Sequence, residues 1–463
     1  MIEQRPPVGV SALDRKDGVA ARASFALGRK FAPLFEAFVR WVVEQVQKDG
    51  FHRVFYFTRE GEFFAAIHRA IVPTSTTTAP QPLVLEVSRL ATFAPSLTAI
   101  VPETLRSLWA RYPRQTLHSV FTSLGLRTAD LPIPATRWHL SDHEPLDPAD
   151  PRWAALLLND RNARWLEEHR VAQRAALDAY LTGRGWSEAE ERIAIVDIGW
   201  HGSIQDHLAH IRPACDIRGY YFGLIPQRSP SGESHQGTEQ RDAPHNAQCR
   251  KSFVTEFLAA GDDRLAGQFL KFVGPMEMLC NAPGGSVVGY AIGASGVRAV
   301  RRASEGEERT FERYTQHFQA GVLQSLASAA SVGNRCPLPG NHQALADAVG
   351  RPRMPDRRHC WRLFRELMID PPRLIAVAYD RLLHDESFGL GCHVALGRWI
   401  PSHMYWDALV SAEARQRLWQ RITTVPWPHG YLVARRLRWI CDLLNLRYFR
   451  NLSDPCGVQR PTA

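Results

Sequence analysis

An acid and a glycine-bearing loop follow a buried strand near the middle of the chain. Ile193 to Val196 is an apolar run typical of a buried strand, and Asp197 comes directly after it. Residues 199–203 have the sequence Gly-Trp-His-Gly-Ser, and helical apolar spacing begins near Ile204. The N–H groups at a helix N-terminus attract anions, and a nearby carboxylate can bind sugar hydroxyls or a metal ion. The pattern therefore predicts a site for a phosphorylated sugar.

Each polar residue of this loop suits part of that ligand. Gly199 and Gly202 allow the backbone to approach a phosphate closely, and the Ser203 hydroxyl adds a hydrogen bond. Trp200 and His201 lie between them, and His201 can also contact phosphate. The alternatives stay open that Asp197 only caps the helix and that His201 is merely exposed.

A second strand-to-helix junction lies upstream. Residues 52–57 are strand-like, and Thr58, Arg59, Glu60 and Gly61 follow them before a helical pattern. The Arg59 guanidinium suits a pyrophosphate, because arginine binds phosphate oxygens in a bidentate manner. Two such junctions predict one site between adjacent strand ends. An alternative is that both junctions are ordinary strand-to-helix connections and that Arg59 forms a salt bridge with Glu60.

Three further residues are weaker candidates. Ser88 and Arg89 follow the short predicted strand 83–87, so they belong to the same edge of the sheet. Glu256 lies in an otherwise apolar stretch. It is either a structural partner of the basic residues before it or a base for an acceptor hydroxyl.

Composition and charge narrow the function classes. The 463 residues carry a net charge of +9 from 56 basic and 47 acidic side chains, and arginine greatly outnumbers lysine. Arginine favours an anionic substrate or a membrane surface, and no lysine-rich run or known motif indicates nucleic acid as a partner. The motifs GxSxG, HExxH and GxxxxGK[ST] do not occur in the sequence.

The eight cysteines are scattered without a CxxC pair, which favours a reducing compartment. No apolar signal segment begins the sequence, and no run approaches the roughly 20 apolar residues of a membrane span. We therefore expect a cytoplasmic protein, either soluble or peripheral to the inner membrane.

The chain divides into three predicted parts. Residues 1–22 are expected to form a flexible arm, 23–300 an α/β domain with a parallel sheet, and 301–463 a helical domain. Within the α/β domain, residues of about 97–190 are expected to be a helical insertion between two strands. The polar residues 226–249 are expected to form a long loop.

Four motifs together resemble a bacterial family of glycan-assembly proteins. They span Phe57–Gly61, Ser88–Ala91, Val196–Gln205 and Gly219–Leu224, and DIGWHGSIQ is the most specific. The family has a phosphoribosyltransferase-like domain, often beside a haloacid-dehalogenase-type phosphatase domain. The resemblance covers about residues 25–275 and implies a phosphoribosyltransferase-like (Rossmann-like) sheet.

The resemblance also implies an activity. It is the transfer of a 5-phosphoribofuranosyl group from phosphoribosyl pyrophosphate to a glycan or lipid-linked saccharide acceptor. By similarity, Asp197 binds the ribose, residues 199–203 the 5-phosphate, and Arg59 and Gly61 the pyrophosphate, with Mg²⁺ neutralising charge.

The sequence departs from this family in three ways. Asp197 is followed by Ile198, where ordinary phosphoribosyltransferases have two adjacent acids, and Glu60 stands where relatives commonly have Asp. No phosphatase motif occurs near the N-terminus, so the 5-phosphate would either be removed by a separate phosphatase or stay on the product. A nucleotide-sugar-dependent glycosyltransferase and a non-catalytic phosphosugar-binding or scaffold protein remain as alternatives.

Overall fold

A five-stranded parallel sheet forms the centre of the computed structural model. The structure describes residues 12–72, 79–186, 192–225, 249–294, 296–333, 354–395 and 400–443. The strands of this sheet are β1 (Arg53–Phe57), β2 (Gln81–Leu85), β3 (Arg192–Trp200), β4 (Asp216–Leu224) and β5 (Arg250–Ser252). Their order is β2-β1-β3-β4-β5, and every neighbouring pair is parallel. The α/β class and the parallel sheet predicted from the sequence are thereby confirmed.

Helices surround the sheet, and they come from both halves of the chain. In the N-terminal half they are α1 (Ala12–Lys48), α2 (Glu60–Ile71), α3 (Arg89–Ser96), α4 (Pro102–Arg111), α5 (Leu117–Ser123), α6 (Pro151–Leu157), α7 (Asp160–Gly183) and α8 (Ser203–Ile211). In the C-terminal half they are α9 (Asp263–Phe269), α10 (Gly274–Cys280), α11 (Glu305–Thr310), α12 (Gln316–Gly333), α13 (Arg357–Ile369), α14 (Arg373–Asp380), α15 (Ser402–Val410), α16 (Ala412–Thr423), α17 (Pro428–Ala434) and α18 (Trp439–Leu443).

Two β-hairpins complete the structure. One pairs β6 (Ser286–Gly293) with β7 (Gly296–Arg302), and the other pairs β8 (Leu383–Glu386) with β9 (Cys392–Ala395). Both are antiparallel and lie outside the central sheet. The sequence predicts a strand and turn near residues 282–292, but it does not predict that this element is a full hairpin.

Successive residues of a strand point to opposite faces of the sheet, and both faces of this sheet are buried under helices. Val54 and Tyr56 pack into the larger core, with α1, α2 and helices of the C-terminal half. Phe55 and Phe57 pack into a core formed largely with α7 and α8. The result is a three-layer arrangement in which helices cover both faces of the sheet.

The larger core does not divide at residue 300. It joins residues of α1 to residues of α12, α13 and α14. A Cβ added at Gly28 would lie 1.9 Å from the Phe318 carbonyl oxygen, and one at Gly321 would lie 2.1 Å from the Phe25 carbonyl oxygen. Two glycines therefore let α1 and α12 approach backbone to backbone, and residues on both sides of the predicted boundary share one interior. Residues 400–441 form a smaller cluster of their own.

The start of the first helix differs from the sequence prediction. Helix α1 begins at Ala12, so the segment expected to be a flexible arm (1–22) is helical from that residue. Its alanines favour helix even where few apolar residues are present. The predicted loop 226–249 lies outside the described residues except for its last residue. In the described part of the chain, no helix has the length and apolar character needed to cross a bilayer.

Candidate functional site

A cleft of about 420 Å³ opens where β1 and β3 end. The chain leaves β1 toward β2 on one side and returns to β3 on the other, so the strand order reverses between them. Such a reversal leaves a crevice at the carboxyl ends of parallel strands, which is where α/β proteins bind ligands. Ten of the thirteen residues predicted for the site line the cleft: Thr58, Arg59, Glu60, Ser88, Arg89, Asp197, Gly199, Trp200, His201 and Ser203.

Asp197 is the buried acid of the cleft. Its side chain is 9% exposed, and Oδ1 accepts a hydrogen bond from the Ile198 N–H at 2.8 Å. Burial, together with the carboxylate of Glu60, raises the pKa of Asp197 to about 7. In the described part of the chain, no basic side chain forms an ion pair with it. Asp197 can therefore exchange a proton near neutral pH or gain a cation when a ligand arrives.

The segment after Asp197 differs from the loop predicted over 199–203. β3 continues through Gly199 and Trp200, which pair with Gly223 and Leu224 of β4, so Asp197 lies within the strand. Glycine at 199 permits this because its φ is +110° and an added Cβ would lie 2.2 Å from the Gly223 carbonyl oxygen. Only His201 and Gly202 connect β3 to α8.

The N-terminus of α8 faces the cleft. Ser203 and Ile204 begin the helix and line the cleft, and Gly202 precedes them with φ of +69°. An added Cβ at Gly202 would lie 2.9 Å from the Arg250 guanidinium. Gly202 therefore contributes to the turn before α8 and does not line the cleft. The positive end of the helix is thus available to an anion beside Asp197.

Arg59 is held by three groups from three parts of the chain. Its Nη1 donates to the Ser286 hydroxyl at 2.9 Å and lies 3.3 Å from Glu307 Oε2, while Nη2 lies 3.6 Å from Glu60 Oε1. Burial opposes its charge, but the carboxylates of Glu60, Glu307 and Glu277 outweigh that effect and raise the pKa of Arg59. Arg59 is therefore a fixed, permanently charged guanidinium.

Glu60 completes the β1 side of the cleft. Burial raises the pKa of its carboxyl, and Arg59 acts in the opposite direction. The residue before Arg59, Thr58, donates its hydroxyl to the Val87 carbonyl at 3.0 Å, which ties the end of β1 to the segment after β2. These contacts fix the loop expected to meet a pyrophosphate.

Ser88 and Arg89 have partners within the fold. The Ser88 hydroxyl donates to the Val287 carbonyl at 2.6 Å and accepts from the Ala91 N–H at 3.1 Å, so it caps α3 and anchors the first hairpin. Arg89 donates to the Tyr112 hydroxyl at 2.6 Å, and its guanidinium lies 5.6 Å from the centre of the Phe388 ring. Ser88 thus has a positioning role, whereas Arg89 adds a cation to the wall.

Gly61 and Glu256 do not line the cleft. A Cβ at Gly61 would lie 3.0 Å from the backbone of Tyr56, so this glycine lets α2 pack close to β1. Glu256 lies in the π-helical turn Val254–Leu258, and its Oε1 accepts the Ser252 N–H at 3.1 Å. The structure thus gives Glu256 a backbone-capping role after β5 and does not bring it to Asp197.

Several cleft residues come from segments that sequence patterns did not connect with the site. Those that carry charge or aromatic surface are Arg111, Tyr112, Glu277, Arg302, His384 and Phe388. Trp200, which was predicted to lie in the loop, is a strand residue whose indole N–H donates a hydrogen bond to Glu277. No local motif marks these residues, because the insertion, the first hairpin and the C-terminal half reach the cleft only through tertiary packing.

Positive charge dominates the cleft. Four arginines line it, at positions 59, 89, 111 and 302, against the carboxylates of Asp197, Glu60 and Glu277. Within the described residues, Arg111 and Arg302 form no ion pair. Of the three carboxylates, Glu60 is already paired with Arg59, and burial raises the pKa of Asp197 to about 7. The cleft therefore suits a ligand with several negative charges.

Residues 435–438 have the sequence Arg-Arg-Leu-Arg, a basic run that could suit an anionic membrane surface, but two of its arginines are paired within the fold. Arg435 Nη1 lies 2.6 Å from Asp380 Oδ1, and its guanidinium lies 3.7 Å from the centre of the Tyr431 ring. Arg438 pairs with Asp370. Arg435 thus joins the C-terminal cluster to α14, and Arg438 joins it to Asp370 at the end of α13.

The sequence matches no protein-family model and no curated protein. The chemical character of the cleft is therefore the basis on which a function is assigned to this chain.

Proposed function

We propose that the protein transfers a 5-phosphoribofuranosyl group from phosphoribosyl pyrophosphate to a saccharide acceptor. One observation carries this proposal: a buried acid and a helix N-terminus lie side by side at the strand-order reversal, in a cleft rich in arginine. A ribose hydroxyl needs an acceptor such as the carboxylate, and the two phosphate groups of the donor need cations and N–H donors.

Each side of the cleft suits one part of the donor. Asp197 faces the ribose hydroxyls, and the first residues of α8, with the Ser203 hydroxyl, bind the 5-phosphate. Arg59 is on the opposite, β1 side and faces the pyrophosphate, while Arg111 and Arg302 are further cations of the cleft, Arg111 near His201. The fold we propose is accordingly phosphoribosyltransferase-like in its use of the sheet edge.

Magnesium would bind together with the donor. In the described residues, no group of three or more histidine, cysteine or acidic side chains is arranged to hold a metal ion. Mg²⁺ is often held by only one or two carboxylates and the substrate's phosphates. Asp197 and Glu60 are the carboxylates that fit this role, because both line the cleft and the Glu60 carboxylate contributes to the raised pKa of Asp197. A cation between them would remove that repulsion.

The reaction breaks the bond between the anomeric carbon and pyrophosphate. Positive charge develops on the ribose ring while negative charge moves to the leaving group. Fixed arginines stabilise the departing pyrophosphate without reorganising, since Arg59 is already held by Ser286 and Glu307. The acceptor hydroxyl then attacks from the face opposite to pyrophosphate. The product of the transfer still carries the 5-phosphate, and we propose that a separate phosphatase removes it in a later step.

Calorimetric titration tests this function directly. The purified chain is titrated with phosphoribosyl pyrophosphate and, separately, with uridine diphosphate sugars, each with and without Mg²⁺. Magnesium-dependent binding of phosphoribosyl pyrophosphate supports the proposal, and binding of the nucleotide sugar alone indicates a nucleotide-sugar transferase instead. Binding of phosphoribosyl pyrophosphate with no pyrophosphate release after saccharide acceptors are added indicates a non-catalytic phosphosugar-binding protein.

Asp197→Asn provides the site control for this titration, and Asp130→Asn the matched surface control. Asp130 is exposed in a short 3₁₀ turn of the insertion. We expect Asp197→Asn to weaken donor binding by about tenfold or more, as for a lost hydrogen bond to a charged group, and Asp130→Asn to leave it unchanged.

A further inference from the structure

Ser203 is the first residue of α8, and the fold makes no use of its hydroxyl. The residue is 7% exposed and lines the cleft, and within the described residues its hydroxyl has no hydrogen-bond partner. The hydroxyls of Thr58 and Ser88, by contrast, donate to backbone carbonyls. A buried polar group without a partner costs free energy unless a ligand supplies one. Ser203 therefore marks the start of α8 as a place for a ligand oxygen.

The N-terminus of α8 cannot neutralise a phosphate group by itself. A helix N-terminus is equivalent to roughly half a positive charge, whereas a phosphate monoester carries about −1.5 to −2 charges at pH 7. The first turn of α8 also contains the carboxylate of Asp206, but that carboxylate is paired with the Arg250 guanidinium. A phosphate beside Ser203 therefore needs a further cation from another part of the cleft.

Arg111 is a cation that the helical insertion brings to this side of the cleft. It is the last residue of α4, and the next residue, Tyr112, accepts a hydrogen bond at 2.6 Å from Arg89 at the start of α3. Helix α3 in turn contacts α8, because the Thr92 hydroxyl lies 2.8 Å from His207 Nδ1. The end of α4 is thereby tied, through α3, to the helix that begins at the cleft.

The electrostatics of α8 agree with this position of Arg111. Burial has the largest influence on the pKa values of His201, Asp206 and His207, and the charge of Arg111 acts on all three. Burial and then Arg111 lower the pKa of His207 to about 3, so this ring is neutral at pH 7 and adds no cation. Within the described residues, the Arg111 side chain forms no hydrogen bond or ion pair. Its guanidinium is therefore available to a ligand at the start of α8.

Arg302 offers a comparison from the other side of the same cleft. It lies in β7 opposite Ser286 of β6, and the Ser286 hydroxyl accepts a hydrogen bond from Arg59. Like Arg111, it forms no ion pair with any residue that the structure describes. The two arginines thus belong to the α8 side and the β1 side of the cleft, respectively.

We propose that Arg111 binds the 5-phosphate of the donor together with Ser203, and that it makes the site selective for ligands phosphorylated at this position. The inference rests on the function proposed above. The guanidinium offers parallel N–H donors to two phosphate oxygens, and the Ser203 hydroxyl and the N–H groups of α8 bind the remaining lone pairs. A ribose without this phosphate leaves the charge of Arg111 uncompensated and the Ser203 hydroxyl without a partner, so it is bound weakly.

The test compares the two ends of the donor by calorimetric titration. Ribose 5-phosphate, ribose and inorganic pyrophosphate with Mg²⁺ are titrated separately, alongside phosphoribosyl pyrophosphate. At an ionic strength of about 0.15 M, exposed charges are screened beyond about 8 Å, so each ligand responds mainly to the groups beside it. The variants are Arg111→Ala, Arg111→Lys and Arg302→Ala. Arg106→Ala is the matched control, because Arg106 is exposed on the same helix and is not among the residues that line the cleft.

We expect the wild type to bind ribose 5-phosphate at least about tenfold more tightly than ribose. Arg111→Ala should weaken ribose 5-phosphate binding by about tenfold to 100-fold, as for loss of charge-assisted hydrogen bonds. Its affinity for pyrophosphate should change by less than about threefold at this ionic strength. Arg111→Lys should lose less, since lysine keeps the charge without the bidentate contact. Arg302→Ala should show the reverse pattern, and Arg106→Ala should match the wild type.

A loss confined to one ligand distinguishes binding from a structural role, because an unfolded variant would lose both ligands. Wild-type affinity of Arg111→Ala for ribose 5-phosphate contradicts the assignment, and so does an equal loss of ribose 5-phosphate and pyrophosphate, which makes Arg111 a general cation of the cleft. In both cases, binding of phosphoribosyl pyrophosphate by the wild type leaves the proposed function intact. A wild type that binds neither phosphoribosyl pyrophosphate nor ribose 5-phosphate overturns the proposed function and this inference together.

Discussion

Glu307 Oε2 lies 3.3 Å from Arg59 Nη1, so an acid at the start of the C-terminal half holds a cation at the end of β1. Both side chains are largely buried, at 5% and 13% exposure. A charged pair removed from water is strongly coupled, and loss of one member leaves the other uncompensated. Arg59 therefore contributes both to the proposed donor site and to the junction between the two halves.

Arg59→Lys should separate these two contributions. Lysine keeps the positive charge near Glu307 but loses the planar group that contacts Ser286 and Glu307 together. We expect donor affinity to fall by about tenfold to 100-fold in calorimetry, as for loss of a charge-assisted hydrogen bond. Arg417→Lys, in an exposed pair with Glu413, is the matched control and should bind normally. Unchanged affinity in Arg59→Lys would remove this side chain from the donor site.

Asp197 should make the protein less stable as pH rises. Burial first, and Glu60 second, raise the pKa of this carboxyl to about 7 in the folded chain, whereas an unfolded Asp titrates near ~3.9. Between those values the folded state holds a proton that the unfolded state has lost, so the free energy of unfolding falls from about pH 4 to pH 7.

Asp197→Asn removes this dependence. The variant should be more stable than wild type at pH 8, by on the order of 3 kcal/mol, and the difference should shrink toward pH 5. Urea unfolding at several pH values measures it. Parallel stability curves for the two proteins would show that Asp197 titrates normally.

Arg111 and Arg302 should supply salt-sensitive attraction for the donor. Within the described residues neither forms an ion pair, so their charge faces the cleft without a fixed counter-charge. Replacement of either by Ala should weaken binding of inorganic pyrophosphate by about threefold to tenfold at low salt and reduce its dependence on ionic strength. Arg127→Ala, exposed in the insertion, is the control. Identical salt profiles for all variants would contradict the electrostatic role of the two arginines.

Gly199→Ala should be severely destabilising. The residue has φ of +110°, and the new Cβ would lie 2.2 Å from the Gly223 carbonyl oxygen in the neighbouring strand. Backbone of a central strand cannot yield easily, so we expect a loss of about 3 kcal/mol or more in the free energy of unfolding. Gly183→Ala is the matched control, because nothing lies within 4 Å of its added Cβ. Equal denaturation midpoints would show that β3 bends to accept the methyl group.

Local patterns were sufficient to predict the strand ends that form the cleft. The apolar runs before Thr58 and Asp197 predicted β1 and β3, because buried parallel strands require continuous apolar residues. Helical spacing likewise indicated α2 and α8. The end of β3 was predicted four residues early, at Val196 instead of Trp200, because Gly199 lets the strand continue where a propensity argument expects a break.

The remainder of the site depends on contacts between distant segments. Ser286, Arg302 and His384 reach the cleft only when the first hairpin and the β8 segment pack onto the sheet. Their own neighbourhoods contain no spacing that distinguishes them from surface or packing residues. Glu256 shows the opposite case, because an isolated acid in an apolar stretch suggested chemistry and the structure assigns it to the Ser252 N–H.

Because α1 and α12 share one interior, α1 cannot complete its packing during synthesis until α12 has been made. A ribosome that has released the whole parallel sheet has not yet released Glu307, His384 or Phe388, and α1 still lacks the helix that meets it at Gly28. Domains usually fold as units while the chain emerges, and exposed apolar surface waiting for a distant partner invites aggregation. The nascent N-terminal half therefore presents an unprotected helix face until α12 has been made, and an incomplete cleft until Phe388 has been made.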